Sequence, residues 1–236
     1  YQPYDGRYWM SYLGGDAQGY EAGILSVGMA NTKKKPHKVH EWDRFDSPVM
    51  SIKDEDASWW ENMTIYKSSV IWDRKETAGA PFVMFYNAKG NNPPEHGDAE
   101  RIGMAVSDDM VNWKRYDGNP VLDHHRGITG DAYIQKIGDV WVMFYFGAFW
   151  GDYPGGAFNH FACSYSLVNW TDWNGGHLIE PSEPFDDMYA HKSCVVKWNG
   201  VVYHYYCAVN SKGQRSIAVA TSKDMGKSDV TFPENL

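Results

Sequence analysis

Four segments decide the fold: Tyr8-Trp9-Met10-Ser11-Tyr12, Phe82-Val83-Met84-Phe85-Tyr86, Trp141-Val142-Met143-Phe144-Tyr145 and Val202-Tyr203-His204-Tyr205-Tyr206. Each reads as an alternating aromatic strand ending on a tyrosine, and Tyr12, Tyr86, Tyr145 and Tyr206 stand 74, 59 and 61 residues apart. A repeat of about 60 residues built from short strands predicts propeller blades, small antiparallel sheets that cannot bury both faces alone. Radial stacking buries those faces and gathers loops from every blade at one end of a central axis.

Turn residues such as Gly138-Asp139 and Asn199-Gly200 mark the remaining strands. The second unit reads as strands at 67–73, 82–86, 101–107 and 113–116, and the third at 131–137, 141–146, 160–164 and 170–173. The fourth gives 192–198, 201–207 and 216–221, with a weak outer strand near 229–232. The first offers 7–13, 24–30 and 38–42 and lacks an innermost strand. The expectation is therefore one all-β domain over 1–236, with blades near 1–44, 62–116, 129–173 and 188–232. About four blades are present, and a five-bladed ring with its N-terminal blade missing is expected over a complete four-bladed one. A second repeat, Ser107-Asp108-Asp109-Met110-Val111-Asn112-Trp113 against Ser164-Tyr165-Ser166-Leu167-Val168-Asn169-Trp170, predicts a tight turn with Ser and Asp oxygens on its N–H groups. Its Trp is expected between blades.

Composition narrows the function. The 236 residues include 11 Trp, 16 Tyr and 10 Phe, which suits strands. A net charge of −8 argues against a nucleic-acid partner, which requires a basic face. No apolar stretch is long enough to span a bilayer, so no membrane partner is expected. Lys33-Lys34-Lys35 reads as a solvated hairpin tip. Cys163, Cys194 and Cys207 read as strand thiols rather than a disulfide framework. Compartment and oligomeric state stay open, and the sequons at Asn62 and Asn169 matter only in a eukaryotic secretory setting.

Strand direction places the connections from second to third strand, and from blade to blade, on one face. Those connections are long and carry Glu21, Trp59, Trp60, Glu61, His96, His124, His125, Trp150, Asp152, Glu180, Glu183, Asp186 and Asp187. Long loops on one face of a rigid scaffold are where binding and catalysis concentrate. Aligning the units puts Lys67, Asp131 and Lys192 at one equivalent position beside the axis, with His191 next to the last. A charged cup rimmed by indoles suits a polyhydroxylated ligand.

The segments Gly130-Asp131-Ala132-Tyr133-Ile134 before Gly138–Tyr145, Arg101-Ile102-Gly103-Met104-Ala105-Val106-Ser107 with Trp113, and Ser193-Cys194-Val195-Val196 before Asn199–Tyr203 carry a resemblance. The chain resembles the five-bladed β-propeller glycosidases, the grouping with glycoside hydrolase families 43, 32, 62, 117 and 130. The resemblance implies an Asp opening an innermost strand, here Asp131, and an acid Glu from a neighbouring blade. It also implies a His near the axis, here His191, that holds water or an ion such as calcium; no organic cofactor is required. The sequence departs from the pattern in having Lys67 and Lys192 where Asp131 stands, and in lacking the upstream blade that carries a further Asp.

Glycoside hydrolysis needs two carboxylates across the scissile bond. Asp131 is the first choice, as base, nucleophile or pKa modulator, against a plain strand-start Asp. Glu61 is the choice for the acid, because Trp60 could desolvate it, against a solvated loop Glu. Glu21 and Glu183 stand in reserve. Lys67, Lys192, His191, Glu21, Trp60 and Trp150 are expected to bind substrate, with ion pairing, core packing and inter-blade packing as the alternatives. The expected activity is exo-acting hydrolysis of an oligo- or polysaccharide. A phosphorylase, a non-catalytic carbohydrate-binding propeller and a protein-interaction scaffold are the rivals.

Overall fold

The structure, a computed structural model, describes residues 3–19, 21–37, 39–90, 99–149 and 156–227. Apart from one 3-10 turn at Val39–Glu41, every regular element described is a strand. The first sheet comprises β1 (Tyr8–Gly15), β2 (Leu25–Thr32) and β3 (Asp43–Arg44). The second comprises β4 (Thr64–Trp72), β5 (Phe82–Lys89), β6 (Glu100–Ser107) and β7 (Lys114–Arg115). The third holds β8 (Ile128–Ile137), β9 (Val140–Ala148), β10 (Ala157–Ser164) and β11 (Thr171–Asp172), and the fourth β12 (Tyr189–Trp198), β13 (Val201–Val209) and β14 (Arg215–Thr221). All pairing within a unit is antiparallel. Single parallel bridges, Glu100 to Ile128 and Ala157 to Tyr189, join a third strand to the next unit's first, so the second to fourth units are linked into one 11-stranded hydrogen-bonded array beside the three-stranded first sheet.

The cores lie between sheets, as blade stacking demands. Val27 and Met29 of the first sheet meet Phe82, Met84 and Tyr86 of the second. Phe85, Ile102 and Met104 then meet Ile134, Met143 and Tyr145 of the third, and Val142 and Phe144 meet Val195 of the fourth. Strands β5 and β9 are buried on both sides, which explains their near-continuous apolar sequences. On β13 and β14 the outer face is open: Tyr205 is 40%, Ile217 82% and Val219 47% exposed.

Each innermost strand begins a few residues earlier than the sequence predicts, at Thr64, Ile128 and Tyr189, and the reason is a bulge. Tyr66 and Lys67 lie opposite Asn87 alone, between the pairs Ile65–Ala88 and Ser68–Tyr86. Asp131 and Ala132 likewise face only Tyr145, and Lys192 is inserted between His191–Cys207 and Ser193–Tyr206. Asp131 and Lys192 take φ of 54° and 63°, the left-handed backbone that such a bulge requires and that non-glycine residues rarely adopt. Pairing resumes beyond each bulge, so the strand extends past the charged residue.

The third strand of the first unit departs from expectation. Residues 39–41 form the 3-10 turn and only Asp43–Arg44 pairs with β2, because Met50 takes the remaining edge by bridging Val27. The outer strands of the second and third units shorten to two residues, Lys114–Arg115 and Thr171–Asp172, a short edge being one way a sheet limits further pairing. The stretch expected near 229–232 lies outside the described residues.

The Ser-to-Trp turns form as their sequence implies. Ser107 Oγ accepts from the N–H groups of Asp109 and Met110, and Ser164 Oγ from those of Ser166 and Leu167. Trp113 and Trp170 each donate their indole N–H back into the turn, at 3.2 and 2.8 Å, and Trp170 packs edge-on against Phe85 of the preceding unit. Asp109 accepts from the N–H groups of Val111 and Asn112 and from the Asn112 amide. Its partial burial, which alone would raise its pKa, is outweighed by these donors, so the carboxyl is pulled down to about 2. The depressed value means the turn's stabilisation is complete above the unfolded pKa of about 4 and fades as pH falls toward 2. Asp109→Ala is therefore expected to cost about 1 kcal/mol near pH 7 and clearly less near pH 2, measured by urea denaturation at both pH values.

Candidate active site

The three bulges converge their charged residues. Lys67 Nζ lies 3.2 Å and Lys192 Nζ 3.0 Å from the same oxygen, Oδ2 of Asp131. Three different units thus meet at one carboxylate, whose side chain is 11% exposed. Burial pulls the Lys67 ammonium below its ordinary pKa; Asp131 opposes this and the neighbouring Lys192 adds to it. The Lys192 ammonium also sits 5.6 Å from the Phe146 ring centroid.

His191 lies beside this cluster but turns away from it. Its Nδ1 is 3.1 Å from the Cys207 carbonyl, so that nitrogen carries the hydrogen, and its ring meets the edge of Phe146 at 5.4 Å. Burial, with the charge of Lys192, lowers its pKa to about 4, leaving a neutral imidazole at neutral pH. This is the carbonyl-bonded core histidine that the sequence also allowed. Among the described residues no group of three or more His, Cys, Asp or Glu is arranged to hold a metal ion.

A carboxyl that the sequence does not single out stands close by: Glu100, the first residue of β6. Burial pushes its pKa up to about 7. The Asn87 amide, 3.3 Å from Oε2, and the charge of Lys89 oppose that rise, while the charges of Asp131 and Glu21 reinforce it. Glu21 lies exposed on the β1–β2 loop at φ 50°. Such a backbone costs on the order of 1 kcal/mol or more for a non-glycine residue, and strain of this kind clusters at functional sites. The charges of Asp131 and Glu21 thus reach Glu100, which holds a proton near neutral pH.

Glu61 does not join them. It is fully buried, its Oε2 bound by Arg115 Nε at 3.0 Å and by the Tyr86 hydroxyl at 3.0 Å, and its Oε1 by the Ser58 N–H. Burial raises its pKa against the pull of Arg115. The acid role expected of it fails on access: no face of the carboxyl is open to a substrate. Trp60 is also fully buried, stacked 5.6 Å from Tyr86 over Gly103, where an added Cβ would come within 2.4 Å of the indole. It packs between strands and offers no sugar platform. Trp150, His96 and Asp152 lie outside the described residues. Glu183 pairs with Lys227 at the surface.

The environment of Glu61 recurs. The strand-ending Tyr206 donates its hydroxyl to Asp186 at 2.7 Å, and Asp186 stands six residues before Lys192 as Glu61 stands six before Lys67. In the third unit the partners exchange strands. Tyr145 donates to Asp172 at 2.8 Å, at the outer-strand position of Arg115, and the inter-blade loop supplies His124, 2.7 Å from Asp172. His124 also reaches Thr129 at 2.7 Å, so both of its ring nitrogens are tied.

No family model matches the sequence, and no curated protein is significantly similar. Solved structures are. One described as "Glycoside hydrolase" and one described as a complex of BT0996 with RGII each superpose with a TM-score of 0.94 at 57% identity, covering 99% of this protein and 67% of theirs. The Bombyx mori GH32 beta-fructofuranosidase BmSUC1 superposes with a TM-score of 0.69 at 15% identity, covering 93% of this protein and 44% of that one, a likeness of fold.

Removing one partner of a buried ion pair strands the other. Arg115→Met is accordingly expected to destabilise the fold by about 3–5 kcal/mol in chemical denaturation. Glu61→Gln, which keeps the shape, should cost less.

Proposed function

Since this protein belongs to the glycoside hydrolases, we propose that it cleaves an oligo- or polysaccharide with Glu100 as proton donor and Glu21 as the partner carboxylate, beside the Lys67–Asp131–Lys192 cluster. The observation carrying the reading is a half-buried carboxyl titrating at about 7 next to two other carboxylates. A general acid works best with a pKa near the operating pH, and paired carboxyls of unlike environment are how glycosidases divide the labour. Burial keeps Glu100 protonated below about pH 7, so it can protonate the departing glycosidic oxygen. Glu21, exposed on its loop, takes the base or nucleophile position. Asp131 has Oδ2 engaged by two ammonium groups. It serves as the fixed negative charge that raises Glu100, the pKa-modulating role among those open to it.

The cluster also bears on the mode of attack. Ion pairs joining three units across the axis would block a polymer from threading through, which supports a blind cup and exo-action. The RGII named for one relative supports a polysaccharide substrate of that kind. The four antiparallel units, with the open apolar face of β13 and β14, support a reading in which they form part of a five-bladed ring.

The test compares leaving groups. Glu100→Gln should lower kcat on oligosaccharides by about 10²–10⁴-fold and spare dinitrophenyl glycosides, whose leaving group departs without a proton. Glu21→Gln should impair both. The wild-type rate should fall above pH about 7, and Asp131→Asn should move that limb to lower pH by removing a charge that raises Glu100. Equal losses on both substrate types in Glu100→Gln would refute the acid assignment.

A further inference from the structure

Asn87 is 2% exposed, in β5, directly opposite the Tyr66-Lys67 bulge. A buried amide must satisfy its oxygen and its nitrogen, and here each end meets a different part of the site. Oδ1 accepts from the backbone N–H of Asp131 at 3.4 Å. That donor dictates which way the amide points, so Nδ2 is turned toward Glu100 and reaches Oε2 at 3.3 Å. Gly130 completes the fit: a Cβ there would come within 3.0 Å of Asn87 Nδ2 and 3.1 Å of Phe146.

We propose that Asn87 is a positioning residue: it grips Glu100 at Oε2 and the Asp131 backbone at once, leaving Oε1 as the oxygen that carries the proton toward substrate. This rests on the reading of Glu100 as the acid. An N–H donated to Oε2 stabilises the carboxylate and disfavours protonation on that oxygen, so the proton is confined to the other. Among the described residues the charged groups that act on Glu100 are Lys89 on β5, Asp131 on β8 and Glu21 on the β1–β2 loop, and Asp131 is itself paired with Lys67 and Lys192. The amide adds to these charges a tie between Glu100 and the backbone of the neighbouring bulge.

The direction of the effect follows. Without the amide the carboxylate loses a donor, so Glu100 should titrate higher. In Asn87→Asp a second carboxyl would face Oε2, and the two would share a proton, raising it further. The experiment is a carbon-13 NMR titration of protein labelled at glutamate side-chain carboxyls, with the Glu100 signal identified by its loss in Glu100→Gln. Wild type should titrate near 7, Asn87→Ala higher by about one pH unit, and Asn87→Asp higher again. Asn87→Asp preserves shape and carries the test if the cavity in Asn87→Ala unfolds the protein. On oligosaccharides both variants should lose kcat by about 10–100-fold with KM changed much less. A Glu100 titration unchanged in the variants would overturn the proposal, whatever happens to the rate. A Glu100→Gln enzyme that keeps full activity on oligosaccharides would instead remove the acid reading beneath it.

Discussion

A strand packed on both faces has no free side on which to carry chemistry. Strands β5 and β9 meet neighbouring sheets above and below, and the innermost strands are clamped between their own second strand and the adjoining units. Within a regular ladder every side chain is committed to one packed face or the other. The bulges at 66–67, 131–132 and 192 release one residue per unit from that alternation and turn it toward the centre. Lys67, Asp131 and Lys192 then meet because their strands do, and the rest of the site is arranged around the carboxylate they share.

A second set of polar groups holds the sheets in place. Tyr86, Tyr145 and Tyr206 are largely buried with hydroxyls that must find acceptors, and each finds a carboxylate: Glu61, Asp172 and Asp186. The acceptor's own charge is met by Arg115 in the second unit and by His124 in the third. In the second and fourth units the acid comes from the inter-blade loop, and in the third from the outer strand, with acid and base exchanging places across the same gap. What is preserved is the charge-assisted bond to the tyrosine, not the residue that makes it.

These two layers explain what is and is not legible in the sequence. Equivalence of Asp131 and Lys192 is legible because each stands 14 residues before a strand-ending tyrosine, and Lys67 joins them once the longer turn that puts it 19 residues before Tyr86 is allowed for. The turns are legible because Ser, Asp and Trp have local bonding roles. Glu61 misleads because an acid beside a Trp resembles a desolvated catalytic group, although Asp186 at the matching place before Lys192 signals a repeated structural tie. Glu100 escapes notice because its raised pKa comes from depth of burial and from Asp131 and Glu21, residues that are remote in sequence. Asn87 escapes for the same reason: its two bonds become visible only when β5, β6 and β8 are set side by side.

The bulged residues have no partner in the ladder. An ammonium stands in two units where a carboxylate stands in the third, yet the flanking strand pairs are the same in kind. The apolar contacts between sheets do not involve these head groups, so the charge gathered at the centre is set apart from the packing that holds the sheets together.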